Sequence, residues 1–319
     1  MDRITLNSHA KINLSLEITA KRADGYHEIV SFMQGTGLHD VVSVEKCTQK
    51  ATKYNLPHCT INGIVVYLCT DAKTIPVDMS NLALKAVKAF TDNCGEDLPA
   101  ARGMTDGLLI DIRKRLPVAA GIAGGSGNAA VCLLGLNELA DRPFDLRRLM
   151  DIGAGIGADV PFSVFMNAYR NRGSLNGLKG LEEARDSAWT RGIGEIVEAA
   201  DSVPRHVILA NPGTSVSTRT AYEAMDAIGY SDAGSAGQKL FVNDMEKYTL
   251  EADPKAAALM DFMRSRLRAD ELLMSGSGPT IAAYYKDEYN AAADMDIISG
   301  LTAEDGTVRA WLTDSGIEI

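Results

Sequence analysis

The chain has 319 residues, 46% of them hydrophobic and 23% charged, the proportions of a globular protein, which argues against disorder and a fibrous role. Its 42 acidic and 32 basic residues leave a net charge of −10, which disfavours nucleic-acid polymers and anionic membrane surfaces, since those select lysine and arginine clusters. About two domains fit this length; no apolar run reaches the roughly 18 residues of a membrane helix and the start MDRITLNSHAK carries no secretory signal, so a cytoplasmic protein is expected.

The first predicted element is a strand. Ala10, Ile12, Leu14, Leu16 and Ile18 alternate with Lys11, Asn13, Ser15 and Glu17, the period-two pattern of a half-buried sheet, so Lys11 and Asn13 share its polar face. A turn at Arg22–Tyr26 leads to a second apolar stretch and to Val41–Val44, and Ile61–Leu68 continues the strand-rich opening. Ser80 is placed to cap a helix over Asn81–Thr91, and Leu108–Ile112 reads as a strand. The densest glycine cluster, LPVAAGIAGGSGNAA at Leu116–Ala130, runs into a helix with Ala129, Leu133, Leu136 and Ala140 along one face. Asp145 caps a further helix holding Leu146, Leu149 and Met150.

The first domain is expected to span 1–165 and the second 166–319. The second opens on a polar, mixed-charge segment, Asn167–Trp189, read as a surface insertion with only a short helix at Leu181–Trp189. Val207–Ala210 resumes strand character, and Asp253–Pro254 starts a helix with Leu259, Met260, Met263 and Leu267 on one face. Leu272–Met274, the turn SGSGP, Ile281–Tyr285, a helix near Asp287–Ile298 and a strand near Thr307–Leu312 complete the chain. Strands and helices mix without regular alternation, which favours an α+β class. The five cysteines, Cys47, Cys59, Cys69, Cys94 and Cys132, contain no CxxC pair and read as reduced thiols, and the five histidines lack HxxxH spacing, so no structural metal is expected.

Three glycine-containing segments could carry chemistry. Pro117–Asn128 places small residues directly before a helix, where free backbone N–H groups and the helix dipole face a bound anion; read alone it is either a tight connector or a phosphate site. It is neither a P-loop nor a GxGxxG turn. SGSGPT at Ser275–Thr280 is either a second such loop or a plain turn. In GADVP at Gly157–Pro161, Asp159 either caps the following turn or serves as a general base near a cation, for which Lys11 is a candidate.

In their order along the chain, SHAKINLSL (Ser8–Leu16), PVAAGIAGGSGNAA (Pro117–Ala130), GADVPF (Gly157–Phe162) and MSGSGPT (Met274–Thr280) resemble the GHMP kinases, ATP-dependent small-molecule kinases. KRADGYHEIVSFMQ (Lys21–Gln34), NPGTSVSTRTAY (Asn211–Tyr222) and FVNDME (Phe241–Glu246) look like the branch whose acceptor is cytidine diphosphate methylerythritol. The resemblance implies a two-domain fold, with an N-terminal domain like ribosomal protein S5 domain 2 and a ferredoxin-like C-terminal domain. It implies transfer from ATP with Mg²⁺ to the tertiary 2-hydroxyl of that acceptor, in non-mevalonate isoprenoid biosynthesis, by a monomer or homodimer. Asp159 matches the catalytic aspartate and Lys11 the lysine that keeps it ionised and stabilises the alkoxide.

By the same resemblance, Pro117, Gly121, Ala123, Gly124, Gly125, Ser126, Gly127 and Asn128 hold the ATP phosphates. Tyr26, His27 and Tyr222 hold the cytosine, Asn13 the methylerythritol end and Thr218 a substrate hydroxyl, while Gly276 and Gly278 close on the phosphate region. Two positions depart from the pattern: Ala123 stands where the loop usually has glycine, and Gly127 where a second serine is common. No residue is assigned to Mg²⁺. Two alternatives stay open: a GHMP kinase acting on mevalonate, homoserine or a sugar, and a non-catalytic nucleotide-binding module of the same fold.

Overall fold

The computed structural model describes residues 1–47, 56–95, 104, 107–304 and 306–315. They pack as two compact units: unit 1 is Met1–His9, His39–Val118 and Gly124–Asp186, and unit 2 is Ala10–Leu38, Ala119–Ala123 and Ser187–Ile319. The division is therefore not sequential. The strands β1 (Arg3–Lys21) and β2 (His27–Lys46), which pair with each other, each contribute to both units.

In unit 1, β3 (His58–Ile61) and β4 (Ile64–Thr70) form a hairpin across Asn62 and Gly63, with φ of 49° and 80°. An Asn-Gly pair suits this two-residue turn, because both central positions need positive φ. The helix α1 (Leu82–Asn93) is capped by Asn81, whose side chain accepts from the N–H of Ala83. This corrects the expectation that Ser80 is the cap: the Ser80 hydroxyl instead donates to Asp78 Oδ1 at 2.6 Å. β5 (Leu108–Arg113) runs parallel to β4 and antiparallel to the end of β2, in the register Val41↔Arg113 to Lys46↔Leu108.

The helix α2 (Gly124–Leu139) packs against α1 and is buried on every side from Gly127 onward, not along one face as the periodicity suggested. A helix apolar all round belongs at the centre of its layer. α3 (Leu146–Ala154) is capped by Asp145, which accepts from the N–H of Arg148 as expected. α4 (Val160–Arg170) packs on both α2 and α3.

The segment Asn167–Trp189 is a surface excursion only in its middle, where residues 172–174, 176, 177, 179, 182, 183 and 185 are exposed, while its ends are built into the protein. Asn167 is buried in α4, where its Oδ1 accepts from the N–H of His9 at 2.8 Å, and Asn171 exchanges two hydrogen bonds with the backbone of Asn7. Leu175, Leu178 and Ala184 are buried, and Arg170 makes a bidentate ion pair with Asp186 at 2.5 and 2.7 Å. The two side chains are 3% and 5% exposed. This one pair is internal, whereas Arg172, Lys179, Glu182, Glu183 and Arg185 are exposed as the mixed charge of the segment suggested. In place of a helix over Leu181–Trp189 there is one 3-10 turn, Leu181–Glu183, followed by the strand β6 (Ser187–Gly192).

Unit 2 continues with β7 (Ile196–Ala200), antiparallel to β6, while β6 pairs with β2 in the register Ile29↔Gly192 to Gln34↔Ser187. β8 (Arg205–Asn211) lies in an antiparallel array of order β10-β11-β8-β12, completed by β10 (Glu271–Met274), β11 (Ile281–Tyr285) and β12 (Arg309–Ser315). Along β8, Ile208 and Ala210 join Leu259, Met263, Tyr285 and Ile298 on one side, while Val207 and Leu209 join Ile12, Leu14, Phe32 and Tyr284 on the other. This two-sided burial follows from the period of two.

The helices of unit 2 are α5 (Thr218–Ile228), α6 (Glu246–Ala252), α7 (Pro254–Arg266) and α8 (Glu288–Glu304), and the short β9 (Val242–Asn243) runs parallel to β1. Asp253 caps α7 by accepting from the N–H groups of Lys255 and Ala256, the expected helix start. The polar face of β1 departs from expectation: Lys11 and Asn13 are 4% and 1% exposed, and Ser8 and Ser15 are fully buried, so this strand is covered on both faces. The class is α+β, and among the described residues no helix is long and apolar enough to cross a membrane. Cys132 is buried in α2, and burial pushes its thiol up to about 12.

Candidate active site

In unit 1 the start of α2 carries Gly124, Gly125, Ser126, Gly127 and Asn128. The first N–H groups of a helix have no intrahelical acceptor and lie at the positive end of its dipole. A Cβ on Gly127 would stand 2.7 Å from Ser8 Oγ and 3.3 Å from the carbonyl of His9, so a side chain at this position requires the Ser8 hydroxyl to shift. Asn128 Oδ1 and Ser8 Oγ are buried without a hydrogen-bond partner. A Cβ on Gly125, by contrast, would meet only Leu82 Cδ1 at 3.6 Å.

Lys114 stands near this helix start, its Nζ 3.3 Å from where a Cβ on Gly124 would lie. It is paired with Asp40 at 2.5 Å, and Asp40 Oδ1 accepts from the N–H groups of Arg115 and Leu116 at 2.7 and 2.8 Å. Lys114 is a residue that the sequence reading missed, because its neighbour Asp40 is 74 positions away. Pro117 follows two residues after Arg115 and is half-buried.

Asp159 is half-buried at the N-cap position of α4, yet its side chain makes no capping hydrogen bond. Its carbonyl instead accepts from the N–H and the hydroxyl of Ser163, at 3.0 and 2.7 Å. The structure thus decides against the capping role and leaves the carboxylate beside the N-terminus of α4.

In unit 2 the stretch Ala119–Ala123 is held by β1 and by the SGSGP loop. Lys11 N–H donates to the carbonyl of Ile122 at 3.2 Å, and Ser275 Oγ donates to the carbonyl of Gly121 at 3.2 Å. Gly121 has φ of 76°, and a Cβ there would stand 2.2 Å from the Ser275 carbonyl oxygen, which only glycine avoids. Ala119 and Ala123 also have positive φ, 53° and 57°. Lys11 Nζ donates to Asn13 Oδ1 at 2.7 Å, and Asn13 Nδ2 donates to Ser31 Oγ at 2.8 Å, which fixes both side chains.

The SGSGP loop is braced in turn. Asn243 Nδ2 donates to the carbonyls of Met274 and Gly276, both at 2.8 Å; Gly278 N–H donates to Ser275 O at 2.9 Å; and Thr218 Oγ1 and Ser277 Oγ are hydrogen bonded at 3.0 Å. Thr218 opens α5, whose cap is Ser217.

A second cluster of unit 2 forms around Asp226. The turn after Arg22 leaves Tyr26 59% exposed, while His27 is buried with its ring stacked on Tyr222 at 5.3 Å and 25°. His27 Nε2 is 2.8 Å from Asp226 Oδ1, Tyr230 donates its hydroxyl to the same oxygen at 2.8 Å, and Lys21 Nζ donates to Oδ2. Lys21 first, then His27 and Tyr230, hold the Asp226 carboxyl well below the usual carboxylate range. Neither Lys21 nor Asp226 was singled out in the sequence. The signal was there, since Tyr222, Asp226 and Tyr230 recur every four residues along one side of α5 and its exit.

Mg²⁺ is usually held by one or two carboxylates plus substrate phosphates, not by a dedicated cage. Asn128 Oδ1 at the α2 start is buried without a hydrogen-bond partner, and among the described residues no group of three or more His, Cys, Asp and Glu side chains is placed to hold a metal ion.

Fold and glycine-headed helix together define a GHMP kinase: residues 81–167 match the family model described as GHMP kinases N terminal domain. A crystal structure of 4-(cytidine 5'-diphospho)-2C-methyl-D-erythritol kinase shares the fold, with a TM-score of 0.69, 24% identity, and coverage of 99% of this chain and 100% of that one. Homoserine kinase from Cytophaga hutchinsonii shares it with a TM-score of 0.55 and 12% identity, over 98% and 94%. Among curated proteins, the 4-diphosphocytidyl-2-C-methyl-D-erythritol kinase of Caldicellulosiruptor bescii is 32% identical over 90% of this chain and 91% of its own length. The one from Alkaliphilus metalliredigens is 30% identical over 98% of both. The chain belongs to the 4-diphosphocytidyl-2-C-methyl-D-erythritol kinase family.

Proposed function

We propose that this protein transfers the γ-phosphoryl group of ATP to the 2-hydroxyl of 4-diphosphocytidyl-2-C-methyl-D-erythritol in isoprenoid biosynthesis. The observation that carries this reading is the identity to kinases of that name along nine tenths of both chains. The buried Lys11–Asn13 pair and the His27–Tyr222 stack support it from the side of the residues.

Phosphoryl transfer asks for positioning and charge neutralisation more than for covalent chemistry. In this reading the N–H groups of Gly124–Asn128 bind phosphate oxygens, together with Pro117, Gly121 and Ala123 along the approach to the helix. Asp159 accepts the proton of the acceptor hydroxyl, and Lys11 stabilises the alkoxide as it forms. Asn13 orients the methylerythritol end, Thr218 supplies a hydroxyl on the substrate side, Gly276 and Gly278 close on the phosphate region, and Tyr26, His27 and Tyr222 hold the cytosine. Mg²⁺ would enter with ATP and would neutralise charge on its phosphates, and no residue of the chain is assigned to it. In order along the chain the reading keeps 1–165 as the N-terminal kinase region with the phosphate loop and 166–319 as the C-terminal region, with 167–189 an insertion relative to the family pattern, while the compact units interleave across residue 165. The protein is cytoplasmic, a monomer or homodimer.

The test compares ADP formation by the purified chain with the cytidine diphosphate acceptor and with mevalonate. Turnover of the former alone is expected; preference for mevalonate overturns the assignment.

A further inference from the structure

The side-chain amide of Asn243 makes three hydrogen bonds of opposite sense. Oδ1 accepts from the N–H of Met245 at 2.9 Å, and Nδ2 donates to the carbonyls of Met274 and Gly276, both at 2.8 Å. The bond to Met245 commits the oxygen to the residue's own turn, so the NH2, with its two hydrogens, faces the SGSGP loop and serves both carbonyls. β9 fixes where this amide stands, since its register on β1 is Ser15↔Val242 and Leu16↔Asn243. Ser275 lies between the two carbonyls that Asn243 holds. Its hydroxyl donates to the carbonyl of Gly121 at 3.2 Å and stands 3.4 Å from the N–H of Asn13. At the next residue, a Cβ on Gly276 would lie 3.0 Å from the Gly121 carbonyl oxygen and 3.5 Å from Asn13 Oδ1, the atom that accepts from Lys11 Nζ. The loop therefore touches the glycine stretch and the Lys11–Asn13 pair at once, all within unit 2.

We propose that Asn243 is a positioning residue for phosphoryl transfer: by holding the carbonyls on either side of Ser275 it fixes the loop that spaces Gly121 from Asn13, and so aligns the phosphoryl donor with the acceptor hydroxyl. This rests on the kinase reading, in which Gly121 lies on the approach to the ATP phosphates and Asn13 on the acceptor. Asn243 itself touches neither reactant. Its contribution falls on kcat more than on binding, because a misplacement of about 1 Å between reacting groups costs about 10²-fold in rate while the contacts made to each substrate persist.

The test uses the full chain and a nearly isosteric change. Asn243→Asp keeps an oxygen for the Met245 N–H but sets a second oxygen, which when ionised cannot donate, against the two loop carbonyls. It is expected to lower kcat about 10²-fold, with KM for ATP and for the acceptor within about threefold of the parent. Amide hydrogen exchange of the unliganded variant, followed by mass spectrometry, should quicken across residues 274–280. Asn243→Ala, which removes the donors without adding repulsion, should lower kcat about tenfold and carries the test if Asn243→Asp does not fold. Asp244→Asn is the control. Asp244 accepts from the N–H of Ile18 and the Ser231 hydroxyl and not from the loop, so this change should lower the unfolding midpoint and leave kcat within about threefold. Unchanged kcat in the Asn243 variants, a rise in KM alone, unchanged loop exchange, or an equal fall of kcat in Asp244→Asn overturns the positioning role while the kinase reading stands. A parent chain that forms ADP with neither the cytidine diphosphate acceptor nor mevalonate overturns the kinase reading, and the positioning role with it; hydrogen exchange still reports separately on the Asn243 contact.

Discussion

A Cβ at residue 121 would stand 2.2 Å from the carbonyl oxygen of Ser275. Both partners in that clash are backbone-bound, so no rotamer relieves it. Gly121→Ala is expected to destabilise the fold by about 2 kcal/mol or more, from the overlap and the left-handed φ together. Urea unfolding of the variant beside the parent measures it, and equal midpoints would contradict the geometry.

Ala123 lies at the opposite extreme. Its φ of 57° places a Cβ in a region that only glycine occupies freely. Ala123→Gly is expected to raise stability by about 0.5–1 kcal/mol, the native strain relieved exceeding the entropy added to the unfolded chain. Denaturant titration gives the sign directly.

For Asp159 the expectation concerns rate. Its side chain makes no capping bond, so Asp159→Asn should leave the start of α4 intact, as circular dichroism checks. Loss of the general base should lower kcat by about 10²-fold or more, with ATP affinity kept. An Asn variant of ordinary activity would count against the base.

Arg170 and Asp186 form a bidentate pair almost closed to solvent. Removing one partner strands a buried charge, so Arg170→Met is expected to cost about 3–5 kcal/mol, and the double change Arg170→Met, Asp186→Leu less than Arg170→Met alone. The three unfolding curves test this ordering.

The same pair shows where reading from sequence stops. Local signals were legible: Asp145 and Asp253 cap the helices they precede, and the run from Gly124 does open a helix. These depend on neighbours two or three residues away. Ser80 and the adjacent Asn81 are both good cap residues, and only the backbone turn at Asp78 decides that Asn81 caps the helix. Burial of Lys11 and Asn13 depends on what covers the second face of β1, which a period of two does not report. Asp226 became visible only once α5 was set beside His27, 199 positions away in the chain.

Each compact unit is drawn from three separate stretches of the chain. No single cut yields two self-sufficient halves: a break after residue 165 would leave Arg170 and Asp186 on the far side from the β5 and α2 that complete their unit. A crossover between the genes of two such kinases at one point would therefore mix parents inside both units at once. The two units are thus coupled in inheritance, since neither can be exchanged as one continuous stretch of the chain.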